Sequence, residues 1–259
     1  MNRDTIRQIA VILATLATVT INGLANALPI NGQNTGQISD RFDVLFVPAG
    51  YVFAIWGLIY LGLIVYTVFQ ALPAQKENPR LRQIGWIYVL ASIANSVWIF
   101  LWHYELLPLT LIAMLILLAC LLVIYQRLGI NRTPVSRGER WGVHVPFSIY
   151  LGWITVATIA NVTDLLWSLG WNGFGLSAEA WFLIMLGATI IIAGLMAFTR
   201  GDVAYLLVLV WALAGIAVKH SDVQSLAMAA AVAAGIVVVF VIIGVVRRGS
   251  RPPVPAAAA

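Results

Sequence analysis

Residues 106–126 read LLPLTLIAMLILLACLLVIYQ, a run without one charged side chain. An α-helix rises about 1.5 Å per residue, so such a run reaches about 30 Å, the thickness of a bilayer's hydrocarbon core. Backbone amides and carbonyls find no water at that depth and satisfy one another only within a helix or a closed barrel. The stretch is therefore expected to be a membrane-spanning helix. The same window moved outward along the chain gives further spans near 6–28, 47–71, 83–103, 143–162, 180–199, 203–219 and 225–246. The expected fold is an all-α, polytopic transmembrane bundle of about eight helices.

Composition agrees. Of 259 residues, 61% are hydrophobic and 10% charged, whereas a soluble domain needs about 25% charged residues to hold water at its surface. The net charge of +5 does not indicate nucleic acid, because the basic residues lie between apolar spans, where they set topology. With the N-terminus placed in the cytoplasm, inner segments collect Arg3, Arg7, Lys76, Arg80, Arg82, Arg127, Arg132, Arg137, Arg140, Arg200, Arg247, Arg248 and Arg251. The outer segments collect only Arg41 and Lys219. Both termini are thus expected to be cytoplasmic, in a multi-pass protein of a bacterial cell membrane. The first span is longer than a signal-peptide core and lacks a clear cleavage site, so it reads as a helix that stays.

The connections are uneven. The breaks Arg200-Gly201-Asp202 and His220-Ser221-Asp222 are short, which leaves 203–246 as two full spans or something more irregular. Residues 29–46 are polar and glycine-rich and should form an outer surface loop. The tail 251–259, rich in proline and alanine, has too little to bury and is expected to be disordered. The division expected is a five-helix core over 1–170, three further helices over 171–250, and that tail.

Charges in hydrocarbon mark function, yet every acid, from Asp4 to Asp222, falls at a span end or in a loop. Snorkelling to water accounts for Lys219 and Asp202. This distribution argues against ion-coupled transport. The lone Cys120 forms no internal disulfide, and His103 and His144 lie at opposite faces, so no metal site is expected. The tryptophans say more. Trp86, Trp102, Trp141, Trp167, Trp171 and Trp181 fall near membrane boundaries, as an aromatic belt does. Trp56, Trp98, Trp153 and Trp211 sit inside spans, where an indole N–H needs a partner or a cavity. Asn95 stands three residues before Trp98 and Asn161 eight after Trp153, so each pair shares a helix face. Together these groups fall in the outer half of the membrane, beneath the 29–46 loop. Helix–helix glue is the plainer account of such asparagines. The sharper one is an aromatic pocket for a flat, apolar ligand.

Three segments carry a family resemblance. Residues 48–60, PAGYVFAIWGLIY, resemble the second-helix signature of the TspO/MBR family, the tryptophan-rich sensory proteins related to the translocator protein. Asn95-Ser96-Val97-Trp98 is similar to the family's Asn-x-x-Trp in the third helix. The segment from Trp153 to Asn161 is similar to its Trp-x-x-Phe-Ala-Thr-x-Leu-Asn in the fifth. Here Ala54-Ile55 replaces a Gly-Pro, Val156 replaces a Phe, and the proposed cholesterol motif after Asn161 is missing.

The resemblance covers about 6–170 and implies a five-helix bundle with a ligand site closed by the loop after the first helix. The matching positions are Trp56, Asn95, Trp98, Trp153, Ala157 and Asn161. The function it implies is a membrane sensor or ligand-binding protein for a flat hydrophobic molecule such as a porphyrin or other tetrapyrrole. The alternatives are a transporter of a hydrophobic or amphipathic solute without ion coupling and, behind it, porphyrin breakdown by an enzyme. The expected partners are the lipid bilayer and that small molecule; a homodimer is allowed, and nucleic acid is not expected.

Overall fold

A computed structural model describes residues 2–28 and 30–249; the tail expected over 251–259 lies outside them. Among the described residues there are eight long helices: α1 (Arg3–Ala27), α2 (Ile55–Ala71), α3 (Pro79–His103), α4 (Leu107–Arg127), α5 (Val145–Ser168), α6 (Ala178–Thr199), α7 (Val203–Lys219) and α8 (Gln224–Gly249). Seven of the spans are long and apolar enough to cross a bilayer, and α7 is a shorter apolar helix. The segment 203–246, ambiguous in the sequence, is two antiparallel helices packed on each other.

Polar residues mark where the helices start. Asn2 caps α1 by accepting from the Asp4 amide, Asn78 caps α3, Ser177 caps α6 and Asp202 caps α7. Each cap supplies an acceptor that the first helical turn lacks. Helices α1, α3, α4, α5 and α2 pack in that order as a closed ring, since each contacts the next and α2 returns to α1. Hydroxyls stitch the ring. Thr15 Oγ1 on α1 bonds both Thr67 Oγ1 on α2 (2.7 Å) and Tyr88 Oη on α3 (2.6 Å).

The last three helices form a layer against this ring. Helix α7 packs on α5, and α6 and α8 pack on α7. Two glycines let α7 come close. A Cβ on Gly152 would stand 3.0 Å from the Tyr205 carbonyl oxygen, and one on Gly215 would run into Val52. Small residues at such crossings are what permit backbones to approach in a bilayer.

Contacts sort the connections onto two ends. At the basic end Arg80 pairs with Glu139 (2.5 Å), Arg82 with Asp4 (2.6 Å), and Arg247 bonds the Phe198 carbonyl (3.0 Å). At the opposite end residues 30–54 fold over the ring as a roof, with a short helix Thr35–Ser39 in it. Asn31 bonds the His103 carbonyl (3.0 Å), and Arg41 pairs with Glu105 (2.6 Å). Helix α7 pins the roof from the other side. Ala49 N donates to Gly215 O (3.1 Å), Trp211 Nε1 donates to Val52 O (3.1 Å), and Lys219 Nζ meets Asp40 (2.6 Å).

The charged residues at helix ends are not all in water, which corrects the snorkelling account of Asp202. Asp202 is 0% exposed and accepts from Tyr125 Oη (2.7 Å) and Ser148 Oγ (2.6 Å). Arg7, Glu139, Asp164 and Arg200 are buried as well. A helix end seen in sequence gives a depth but not a face, and these ends turn inward against neighbouring helices. The argument against ion coupling from missing buried charge therefore loses its basis.

Gly152→Val forces the Tyr205 backbone and the Val208 side chain away from α5. We expect it to cost about 1–3 kcal/mol, as overpacking does, and to lower the thermal midpoint of the detergent-solubilised protein. An unchanged midpoint would contradict the close α5–α7 approach.

Candidate ligand pocket at the roof end

The sequence placed Trp56, Trp98 and Trp153 inside spans, and the fold brings all three together beneath the roof. Trp56, near the start of α2, lies 6.0 Å from Trp98 and 6.2 Å from Trp153, centroid to centroid, and stacks on Tyr60 at 5.5 Å. Tyr150 and Phe53 complete the group, edge-on to Trp56 and Trp153 respectively. Such tilted and edge-to-face pairs add about 0.5–1.5 kcal/mol each beyond the area they bury.

This cluster encloses an inner cavity of about 30 Å³, room for one or two water molecules. Of the six positions picked out in the sequence, Trp56, Trp98, Trp153, Ala157 and Asn161 line it. Asn95 does not. It is fully buried, accepts from Asn22 Nδ2 on α1 (2.8 Å) and donates to Tyr150 Oη on α5 (2.9 Å). It thus ties three helices together behind the aromatic cluster, as the helix–helix glue account has it.

A second, larger space lies on the other side of Trp56. The cleft between α1, α2 and the roof measures about 650 Å³ and is lined by Asn22, Asn26, Gln37 and Asp40 together with Tyr60 and Trp56. Its size is that of a small-molecule site. Phe53 and Trp56 line both spaces, so these two rings are the wall between a ligand-sized cleft and a water-sized cavity.

Two groups in this region went unnoticed in the sequence. Trp102, expected in the aromatic belt, is 3% exposed, stacks on Trp98 at 5.6 Å and donates its Nε1 to the Thr35 carbonyl in the roof (3.2 Å). Its spacing of four from Trp98 was the available signal, since i and i+4 share a face. Asp164 stands three residues beyond Asn161, is 2% exposed and also lines the inner cavity. The same spacing rule would have found it.

The remaining belt assignments divide. Trp86, Trp141 and Trp167 are strongly exposed, as residues facing lipid are. Trp167 also joins Trp171 and Trp181 around a separate cavity of about 290 Å³ between α5, α6 and residues 43–46. Trp211, expected inside a span, is 40% exposed on α7 and meets Tyr51 edge-on. Among the described residues, no three His, Cys, Asp or Glu side chains come together as a metal site requires.

Fold and site define a multi-pass, lipid-embedded helical bundle with an aromatic pocket closed by the loop after its first helix. The family model described as TSPO-like protein matches residues 8–243, and the chain belongs to that family. The match runs well past residue 170 and through the three C-terminal helices, so it reaches further than the three motifs that carry the resemblance. No curated protein and no solved structure matches the chain significantly.

The different bonding of Asn95 and Trp98 separates their roles. Asn95→Ala leaves Asn22 and Tyr150 without their buried partner and should cost about 1–2 kcal/mol, the scale of interhelical hydrogen bonds in model membrane peptides. Trp98→Phe removes an indole N–H that has no partner and should cost less. Thermal unfolding in one detergent compares them, and a larger loss for Trp98→Phe would contradict these roles.

Proposed function

We propose that the protein is a membrane-embedded ligand-binding protein that holds a flat hydrophobic molecule, such as a porphyrin, against Trp56 at the roof end. The observation that carries this reading is the position of Trp56. It touches four aromatic rings and forms, with Phe53, the wall between the 650 Å³ cleft and the inner cavity. A planar ligand in the cleft would cover Trp56 and Tyr60 and remove apolar surface from water at about 25 cal/mol per Å².

Membership of the TSPO-like family supports a sensor or binding role over catalysis. The inner cavity is too small for a macrocycle as it stands. Binding that reaches it requires Phe53 and Trp56 to turn, and the ligand's preference for the turned state supplies the free energy for that change. Such coupling between occupancy and the roof is what a sensor needs.

Titration of the purified protein with protoporphyrin IX, read by quenching of tryptophan fluorescence, tests the reading. Trp56→Ala and Trp153→Ala should each weaken saturable quenching by about tenfold, which corresponds to about 1.4 kcal/mol. Trp86→Ala, at a lipid-facing ring that is 56% exposed, should leave the affinity unchanged. Equal losses for all three variants, or quenching that never saturates, would overturn the assignment.

A further inference from the structure

Four buried polar atoms around the inner cavity have no hydrogen-bond partner: Trp98 Nε1, Trp153 Nε1, Asn161 Oδ1 and Asp164 Oδ1. Their residues are each at least nine-tenths buried. A buried polar group left unpaired costs about 1–3 kcal/mol, and four around one space of about 30 Å³ point to something that belongs in it. They also divide by chemistry. The two indoles only donate, and the two oxygens only accept when the carboxyl is ionised. Asn161 uses its other amide atom on Thr110 Oγ1 (3.3 Å), which fixes its oxygen as the free acceptor.

Water could answer the donors and acceptors; only a cation would also let a buried carboxyl carry its charge. Among the described residues, no basic side chain lies within ion-pair distance of Asp164. Lys219, a lysine at the same end, is bonded to Asp40 at 2.6 Å. The same cavity is lined by the rings of Trp56, Trp98 and Trp153, and aromatic faces attract a cation where water is excluded. An unpaired acid and amide oxygen three residues apart on α5, lining a space with aromatic rings, are complementary to an ammonium group; the two indole donors, which an ammonium cannot answer, are left to water.

We propose that Asp164, with Asn161, is the specificity-determining pole of the site and selects a flat apolar ligand that carries a protonated amine. The ammonium head occupies the inner cavity and donates to Asp164 Oδ1 and Asn161 Oδ1. The flat body lies in the neighbouring cleft, reached past Phe53 and Trp56. A ligand with carboxylates binds only with those groups turned away from Asp164. This deepens the proposed function and rests on it.

Three probes with one ring system, one four-carbon arm and different heads test it: 1-pyrenebutylamine, 1-pyrenebutanol and 1-pyrenebutyric acid, titrated in a non-ionic detergent and read by energy transfer from tryptophan. The amine should bind the wild-type protein at least about tenfold more tightly than the acid, the scale of a hydrogen bond to a charged group, with the alcohol between them. Asp164→Asn should bring the three affinities to within about threefold of one another, with saturable transfer retained. Asp43→Asn, which removes an exposed charge at the same end, should leave the wild-type order in place and serves as the surface-charge control. It also keeps the test decisive if Asp164→Asn does not fold.

Equal affinities for the three heads on the wild-type protein mean a water-filled cavity and overturn the pole. An order that survives Asp164→Asn, or one that Asp43→Asn abolishes, overturns it too. Failure of all three probes to give saturable transfer overturns the ligand pocket itself and the pole with it.

Discussion

The approach of α7 to α5 is the constraint on which the roof end depends. Gly152 lets the Tyr205 backbone come within van der Waals reach, and that places the far end of α7 beneath residues 40–52. From there α7 supplies a carbonyl to Ala49, an indole N–H to Val52, an ammonium to Asp40 and, through the following His220, a ring nitrogen to the Leu45 carbonyl (2.7 Å). Backbone groups buried in a loop need partners from the surrounding structure. The loop can lie over the ring because a helix outside the ring answers its polar groups. The three C-terminal helices therefore belong to the architecture of the pocket.

Under that roof, aromatic packing and polar bonding do different work. The rings of Trp56, Trp98, Trp153, Tyr150 and Tyr60 fill the end of the five-helix ring with tilted and edge-on contacts. Asn95, Asn22 and Thr15 tie the helices behind them through bonds that are complete. Around the inner cavity four buried polar atoms on neighbouring walls are left open, and burial makes such vacancies costly. Two other buried charges find partners on neighbouring helices. Asp202 receives two hydroxyls, and Arg200 reaches Gln126 and the Ile130 carbonyl. The unpaired oxygens of Asn161 and Asp164 differ in lining one cavity together, a place for a guest.

Much of this was legible in the sequence because lipid imposes simple rules. Length and apolarity located the helices, and the separation of Arg and Lys from the polar 29–46 loop anticipated the two ends of the bundle. Spacing put Trp98 and Asn95 on one face of α3, and Trp153 and Asn161 on one face of α5. What spacing could not give was the partner of each face. Asn95 was open to two accounts, glue and pocket, and its amide joins α1 to α5; Trp102 looked like a belt residue until the roof folded over it. Asp164 and Asp202 fall where a side chain can reach water or turn inward, and sequence position alone does not separate the two. The role of α7 was illegible for a related reason: Gly152 and Gly215 are a close contact only once both helices are placed.

The most direct measurement is photo-crosslinking with a porphyrin that carries a diazirine, followed by mass spectrometry of the labelled peptides. The account predicts labels concentrated on residues 50–60 of the roof and α2, with residues 153–164 of α5 labelled at the inner edge, and competition by unlabelled protoporphyrin IX. Labels spread over the lipid-facing sides of α6 and α8, or confined to the separate cavity at Trp171 and Trp181, would contradict it.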